Sequence, residues 1–106
     1  MQAQTSDREL PREIDLNLHR DVLACIVSFY PGEDFVQNLK SVQAQGVDVL
    51  VVDNSESLEV QKAIREQCRS LGIFCITNGQ NLGIAGALNT GVRRAQENAY
   101  KWLLTL

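Results

Sequence analysis

The chain has 106 residues, which is enough for one small domain with a modest core but not for two. Hydrophobic residues make up 44% and charged residues 22%, a composition typical of globular domains that argues against a wholly disordered chain. The net charge of -3 gives no support to a nucleic-acid or anionic-membrane partner, since both favour a basic surface, and no apolar run approaches the ~18 residues that span a bilayer.

The N-terminal segment, residues 1–20, is polar and densely charged, and we interpret it as a loose leader without the pattern of a signal peptide. The single histidine, His19, is expected at a solvated surface position rather than in a metal or catalytic site. The three cysteines, Cys25, Cys68 and Cys75, are odd in number and form no C-x-x-C pair. We therefore expect buried thiols rather than a disulfide or zinc framework, which indicates the cytoplasm.

From Val22 onward, strand and helix patterns alternate strictly. The first strand, VLACIVSFY, is a continuous apolar run that is broken by Pro31-Gly32. The next predicted element is a helix that has Phe35, Leu39 and Val42 on one side and stops at Gly46. After it the sequence predicts a strand VDVLVVDN, a helix over 57–71, a strand IFCIT, a helix in the glycine-rich stretch, and a strand AYKWLLTL. This order predicts an α/β fold with an open parallel sheet of about four strands and helices on both faces.

Aromatic and polar residues follow the predicted strands, and in open α/β sheets ligands gather at the carboxyl ends of strands. The first strand ends in Ser28-Phe29-Tyr30, the second in Asp53-Asn54 and the third in Thr77-Asn78. An aromatic ring beside a carboxylate suits a nucleoside, because the ring offers a stacking face and the carboxylate accepts hydrogen bonds. Structural roles compete with this interpretation: Asp53 would cap the second helix, and Tyr30, for which the structural role is favoured, would cover the first.

The stretch TNGQNLGIAGALNTGVRRA, residues 77–95, carries four of the seven glycines. It is not a P-loop, because no Lys follows its glycines, and the dinucleotide fingerprint would have to follow the first strand. Instead, Gly83, Ala87, Gly91 and Ala95 recur every four residues and leave one helix face nearly bare. Such a face lets the helix approach a sheet or a ligand closely, and Asn81 is placed to cap the helix.

Together these segments resemble the N-terminal half of a family 2 glycosyltransferase with the GT-A fold, and most of all the bacterial rhamnosyltransferases of O-antigen and other cell-surface polysaccharide assembly. The resemblance rests on ACIVSFYPGEDFVQNLKSV, VLVVDNSE, NGQNLGIAGALNTGVRRA and WLLTL. It implies a Rossmann-like, truncated nucleotide-sugar-binding subdomain over residues 21–106. The residues that it places at this site are Phe29, Tyr30 and Pro31 at the base, Asp53 and Asn54 at the base or ribose, and Asn81, Gly83, Gly86 and Asn89 around the donor pocket.

In that family, the strand matching WLLTL runs into an Asp-x-Asp-type motif that holds Mg²⁺ or Mn²⁺. This chain stops at Leu106, before such a motif, so the resemblance implies a fragment that contains no catalytic residue, binds no metal firmly and transfers no sugar alone. The implied donor is a dTDP- or UDP-sugar, dTDP-rhamnose above all, and the implied acceptor is a lipid-linked or cell-surface glycan. The complete enzyme would work in the cytoplasm or at the inner membrane face.

Two alternatives remain open at this stage. One is a non-catalytic α/β module that forms homo-oligomers through an exposed sheet edge, because the last strand lacks further neighbours. The other, less favoured, is an NAD-binding Rossmann domain, which Asp53 would suit but which requires a glycine-rich turn after the first strand. Neither alternative predicts a nucleic-acid partner.

Overall fold

The computed structural model describes residues 21–106, which form four strands and three helices. In chain order, the elements are β1 (Val22–Ser28), α1 (Phe35–Gln43), β2 (Asp48–Asp53), α2 (Leu58–Ser70), β3 (Phe74–Thr77), α3 (Gly83–Glu97) and β4 (Trp102–Thr105). The predicted α/β alternation is confirmed. The predictions for the leader and for His19 concern residues 1–20 and lie outside the described residues.

The two strand boundaries that differ most from the prediction lie beside sharp turns of the backbone, and the other strand ends differ by one residue at most. β1 ends at Ser28 rather than at Tyr30, whose φ of 47° is incompatible with an extended strand. β4 begins at Trp102 rather than at Ala99, whose φ is 60°. The backbone N–H of Tyr100 donates to the carbonyl of Ala95, so the residues before Trp102 still terminate α3.

The four strands form one parallel sheet with the order β3-β2-β1-β4. The chain moves outward from β1 to β3 and then crosses back over the sheet to place β4 on the other side of β1. The carboxyl end of β1 therefore lies where the direction of strand addition reverses. In open α/β sheets this is where ligand crevices form.

The helices cover both faces of the sheet, as predicted. α1 and α2 cover one face, with a core formed by Phe35, Leu39, Val49, Val51, Ile64, Cys68 and Ile73. α3 covers the other face, with a core formed by Leu23, Cys25, Leu50, Val52, Ala87 and Ala95. Burying a large aliphatic side chain stabilises a fold by about 1.5–3 kcal/mol, so the alternating inward positions of β1 and β2 hold the two layers together.

The bare helix face predicted for α3 packs directly onto β1. Ala87, Gly91 and Ala95 are all buried, and a Cβ atom added at Gly91 would lie 2.6 Å from the Sγ of Cys25. Gly83, the fourth residue of the predicted face, is instead exposed and starts the helix with a φ of +74°. The face is therefore a close-packing surface along most of its length, and Gly83 serves the turn that enters α3.

β4 leaves an apolar surface uncovered by the described residues. Trp102, Leu104 and Leu106 are exposed, Trp102 to 68%. Leu104 lies opposite Ala24 in the parallel register, which places these side chains on the face of the sheet that carries α1. None of the helices formed by residues 21–106 is long and apolar enough to cross a membrane.

Candidate functional site

The carboxylate of Asp53, the last residue of β2, is the centre of a buried polar group. The residue has no exposed area (0%), and its Oδ1 accepts hydrogen bonds from Ser28 Oγ at 2.9 Å and from the backbone nitrogen of Ser55 at 3.1 Å. Ser28 ends β1 directly opposite Asp53 in the register, so sheet pairing brings the two side chains together. Oδ2 is buried and has no hydrogen-bond partner among residues 21–106. A buried carboxylate oxygen without a donor is costly, so Oδ2 is an unfilled acceptor.

The structural role considered for Asp53, a cap of α2, is wrong. The N-cap of α2 is Ser57, whose Oγ accepts a hydrogen bond from the backbone nitrogen of Val60 at 3.3 Å. Asp53 instead bonds to Ser55, two residues before that cap. Its carboxylate therefore organises the turn that leaves β2 and not the helix that follows.

A chain of asparagine side chains connects the ends of β2 and β3 to the start of α3. Asn54, which is buried, donates from Nδ2 to the carbonyl oxygen of Gly83 at 3.1 Å, and Asn78 donates from Nδ2 to Asn54 Oδ1 at 2.7 Å. The backbone nitrogen of Asn54 donates to the carbonyl of Ser28, which extends the β1–β2 pairing by one step. Two asparagines thus fix the entrance of α3 against the sheet.

Tyr30 connects the end of β1 to the start of α2. Its backbone nitrogen donates to Ser55 Oγ at 2.8 Å, and its hydroxyl oxygen accepts from the backbone nitrogens of Glu56 at 3.2 Å and Ser57 at 3.0 Å. The structural alternative placed Tyr30 over α1, whereas these polar contacts lie at the start of α2. The ring also meets Phe29 edge to face, with 4.7 Å between ring centroids.

Ser55 and Gln61 are members of this site that the sequence interpretation did not include. Ser55 is fully buried: its nitrogen bonds to Asp53, its Oγ accepts from Tyr30, and its carbonyl accepts from Gln61 Nε2 at 2.8 Å. The available signal was the position of Gln61, a polar residue three residues before Ile64 on the buried side of α2. Such a residue needs a polar partner in the core.

The remaining residues assigned to the site are exposed or half-buried. Phe29 and Tyr30 are 49% and 44% exposed, Asn81, Gly83 and Asn89 are exposed, and Pro31 and Gly86 are half-buried. Phe29 separates two open clefts of about 540 and 560 Å³, one toward α3 and β4 and one toward α1. Phe29 lines both clefts, whereas Tyr30, Asp53 and Asn54 line neither, and Tyr30 is connected to the buried polar group through its bond to Ser55.

Asn81, Gly86 and Asn89 differ in what they do at α3. Asn81 was predicted to cap α3, but the N-cap is Leu82 and no side-chain bond caps the helix; Asn81 Oδ1 instead accepts from the backbone nitrogen of Gly83 at 2.9 Å and supports the turn before the helix. A Cβ atom at Gly86 would lie 2.6 Å from the Cβ of Leu82, so Gly86 makes room for that side chain. Asn89 lies six residues beyond Gly83, about 9 Å along the helix axis, and the structure does not bring it to the asparagine chain.

The residues of the crevice do not fit a divalent metal ion. Within residues 21–106, no group of three or more His, Cys, Asp or Glu side chains is placed to hold a metal. Asp53 is the one carboxylate of the buried polar group, and its Oδ1 already accepts two hydrogen bonds. Mg²⁺ and Mn²⁺ require several oxygen ligands around one point, which this group does not supply.

Residues 24–106 match the family model described as "Glycosyl transferase family 2". A protein of Haloferax volcanii, "Low-salt glycan biosynthesis hexosyltransferase Agl10", is 36% identical over 73 residues, which is 69% of this chain and 22% of the relative. The aligned part of the chain thus spans about a fifth of the length of that relative. No solved structure matches the chain significantly.

Proposed function

The chain belongs to glycosyl transferase family 2, and from this membership we propose that it is the nucleotide-sugar-binding portion of an enzyme that transfers a sugar to a glycan acceptor. The observation that carries the proposal is the unfilled, buried acceptor atom Asp53 Oδ2 on β2, opposite the carboxyl end of β1, where the direction of strand addition reverses. A nucleoside supplies N–H and O–H donors that would fill this atom. Exposed aromatic rings stand beside the same strand end.

We assign the rings of Phe29 and Tyr30 to the base and Asp53 Oδ2 to a donor atom on the base or ribose. The rings are exposed and so meet the ligand first, whereas Asp53 is covered in the unliganded chain. Contact with Oδ2 therefore needs a small outward movement of the loop that follows β1. A hydrogen bond from a neutral donor to a carboxylate is charge-assisted, so the bond to Oδ2 would offset the free-energy cost of moving the loop.

The region around Asn81, Gly83, Gly86 and Asn89 is assigned to the rest of the donor. Asn54 holds the carbonyl of Gly83, so the loop before α3 is fixed before the ligand arrives. A loop that is already in place loses less conformational entropy when it binds, which favours affinity. Asn89 would reach only the outer part of a donor lying along α3.

For the donor we propose a dTDP- or UDP-sugar, with dTDP-rhamnose preferred, and for the acceptor a lipid-linked or cell-surface glycan handled on the cytoplasmic side of a membrane. The relative is named as a hexosyltransferase of glycan biosynthesis, which supports a hexose and a glycan. In family members a divalent cation neutralises the departing diphosphate.

Calorimetric titration of the chain with dTDP and UDP, with and without Mg²⁺, tests the donor site. The informative variant is Asp53→Asn, which keeps the Oδ1 acceptor for Ser28 and Ser55 but replaces the free oxygen with an amide. The matched control is Asp48→Asn at the opposite end of the same strand. We expect metal-independent binding that is lost in Asp53→Asn and kept in Asp48→Asn. Equal binding by both variants, or none by the parent chain at millimolar nucleotide, would refute the assignment.

A second candidate function, a self-associating module without catalysis, is favoured by one observation. The apolar surface of Trp102, Leu104 and Leu106 on β4 is uncovered by residues 21–106. Contiguous exposed apolar groups on an edge strand favour association. Light scattering during gel filtration would support this function if it detected a dimer in a chain that binds no nucleotide.

A further inference from the structure

Cys68 and Cys75 face each other across the contact between α2 and β3. Cys68 is on the last turn of α2 and fully buried, and Cys75 is on β3, half-buried against the same apolar cluster. The backbone nitrogen of Ile73 donates to the carbonyl of Cys68 at 2.8 Å, and Cys75, two residues further along the chain, pairs with Val51 and packs against the cluster that contains Cys68. One helical turn earlier, Arg65 Nη1 donates to Thr77 Oγ1 at 3.2 Å, so a side-chain hydrogen bond also links the same helix and strand.

The environment distinguishes the two sulfurs. The hydrogen bond donated by the Cys68 thiol lowers the pKa of Cys75, and the Thr77 hydroxyl and the Arg65 guanidinium act in the same direction, against burial and the charge of Asp53. The same hydrogen bond, together with burial, raises the pKa of Cys68. Cys75 is therefore the better nucleophile and Cys68 is the proton donor beside it.

We propose that Cys68 and Cys75 form a reversible disulfide that hydrogen peroxide drives, with Cys75 as the attacking thiol and Cys68 as the resolving thiol. This proposal does not rest on the proposed transferase function. It concerns the face of the sheet under α1 and α2, and it assigns a modification site to a pair of residues that the donor site does not use.

The reaction consumes one peroxide for two thiols. The Cys75 thiolate attacks one peroxide oxygen, an S–O bond forms, the O–O bond breaks, and the leaving hydroxide takes a proton to become water. Cys68 then loses its proton and attacks the sulfenic sulfur of Cys75, so that an S–S bond forms and the S–O bond breaks. The second hydroxide leaves as water, and the two sulfurs have together given two electrons to the peroxide.

Cys25 provides an internal control. It is buried on the opposite face of the sheet, where its Sγ packs against Gly91, and burial raises the pKa of its thiol. A buried thiol without a lowered pKa reacts slowly with peroxide. We therefore expect Cys25 to stay reduced under conditions that oxidise the Cys68–Cys75 pair.

Trypsin places the three cysteines on three different peptides, so each possible disulfide gives a distinct linked peptide. Cleavage after Arg65 and Arg69 places Cys68 on peptide 66–69, cleavage after Arg93 places Cys75 on peptide 70–93, and Cys25 falls on peptide 21–40. The chain would be treated with hydrogen peroxide and then unfolded in urea, so that a maleimide reaches every free thiol including the buried Cys25, and the digest would be analysed by mass spectrometry. A disulfide then appears as peptide 66–69 joined to peptide 70–93.

We expect this linked peptide from the monomeric chain, its disappearance after dithiothreitol, and full maleimide labelling of Cys25. In Cys68→Ser, dimedone should trap the sulfenic acid at Cys75, and in Cys75→Ser, Cys68 should remain reduced. Cys25→Ser should form the linkage at the rate of the parent chain. A linkage through Cys25, a disulfide between two chains, or oxidation of Cys75 that never joins Cys68 would overturn the proposal. The linked peptide in the parent chain decides the question even if a variant fails to fold.

Discussion

The hydroxyl oxygen of Tyr30 lies 3.0 Å from the backbone nitrogen of Ser57 and accepts its hydrogen bond at the start of α2. Glu56 gives the same oxygen a second backbone N–H, and Ser55 Oγ accepts from the nitrogen of Tyr30 itself. Tyr30 is thus held at both ends by the segment that joins β2 to α2. This explains how a non-glycine residue keeps a φ of 47°, a conformation that must be supported by its surroundings.

The first prediction concerns the Tyr30 hydroxyl. In Tyr30→Phe the two backbone N–H groups lose their protein acceptor but remain near solvent, so we expect the free energy of unfolding to fall by about 1 kcal/mol. The ring is kept, so nucleotide affinity should change little, whereas Tyr30→Ala should lose both stability and affinity. Urea unfolding and calorimetric titration of the two variants measure these quantities. Equal affinity loss in both variants would show that the ring is not the part of Tyr30 that binds.

The second prediction concerns Ser55. Ser55→Ala removes the acceptor of the Tyr30 N–H but keeps the backbone groups that bond to Asp53 and Gln61. We expect a loss of about 1–3 kcal/mol of unfolding free energy, because the N–H that loses its acceptor is only partly accessible to solvent. The control is Ser70→Ala, whose hydroxyl makes an exposed bond to the carbonyl of Gln67. Urea unfolding that gives the same small loss for both variants would contradict the role assigned to Ser55.

The sequence predicts the fold well because its signals are local. Each strand of the core is a short apolar run, each helix has an apolar stripe, and glycines such as Gly46 and Gly72 end α1 and α2 with positive φ values. The same reasoning finds Asp53 and Asn54, because a polar pair directly after a buried strand must lie at the carboxyl edge of the sheet. Local patterns therefore place these two residues at that edge, and the binding role of the edge stays a prediction.

The contacts within the crevice depend on pairings that no local pattern contains. The bond from Ser28 to Asp53 joins residues 25 apart, and it exists only because β1 and β2 pair in this register. The bond from Tyr30 to Ser57 joins residues 27 apart and requires the turn at Tyr30. For this reason the helix-capping role considered for Asp53 was wrong, and the roles of Ser55 and Gln61 were not predicted.

The third prediction concerns the contact of α3 with β1. Gly91→Ala would place a Cβ atom 2.6 Å from Cys25 Sγ, so the helix must shift or the thiol must move. Overpacking of this kind costs about 1–3 kcal/mol and should outweigh the gain of about 1 kcal/mol from replacing a glycine inside a helix. Gly32→Ala is the control, because nothing lies within 4 Å of an added Cβ atom there. Thermal unfolding should show a lower Tm for Gly91→Ala and little change for Gly32→Ala.

A double variant separates the clash from other effects at Gly91. Cys25→Ala removes the sulfur that the new methyl group would meet, so Gly91→Ala should cost less in that background than in the parent chain. A cost that is unchanged when the sulfur is absent would place the strain elsewhere in α3.

The last prediction concerns alkaline pH. Burial, followed by the hydrogen bond to Asp48 and the charge of Asp48, raises the pKa of Tyr100 from 10.0 to about 12. Because the folded-state pKa is above the unfolded one, the unfolded state loses this proton first as pH rises. The stabilisation is therefore complete below pH 10 and is lost between about pH 10 and 12.

Tyr100→Phe removes the titrating group, so the difference in unfolding free energy between parent and variant should shrink as pH rises through this window. Urea unfolding at intervals from pH 8 upward measures it, and the comparison cancels the titration of lysines and cysteines that both chains share. A difference that stays constant with pH would mean that Tyr100 loses its proton equally easily in both states. In that case the bond to Asp48 would link β2 to the end of α3 without any pH dependence.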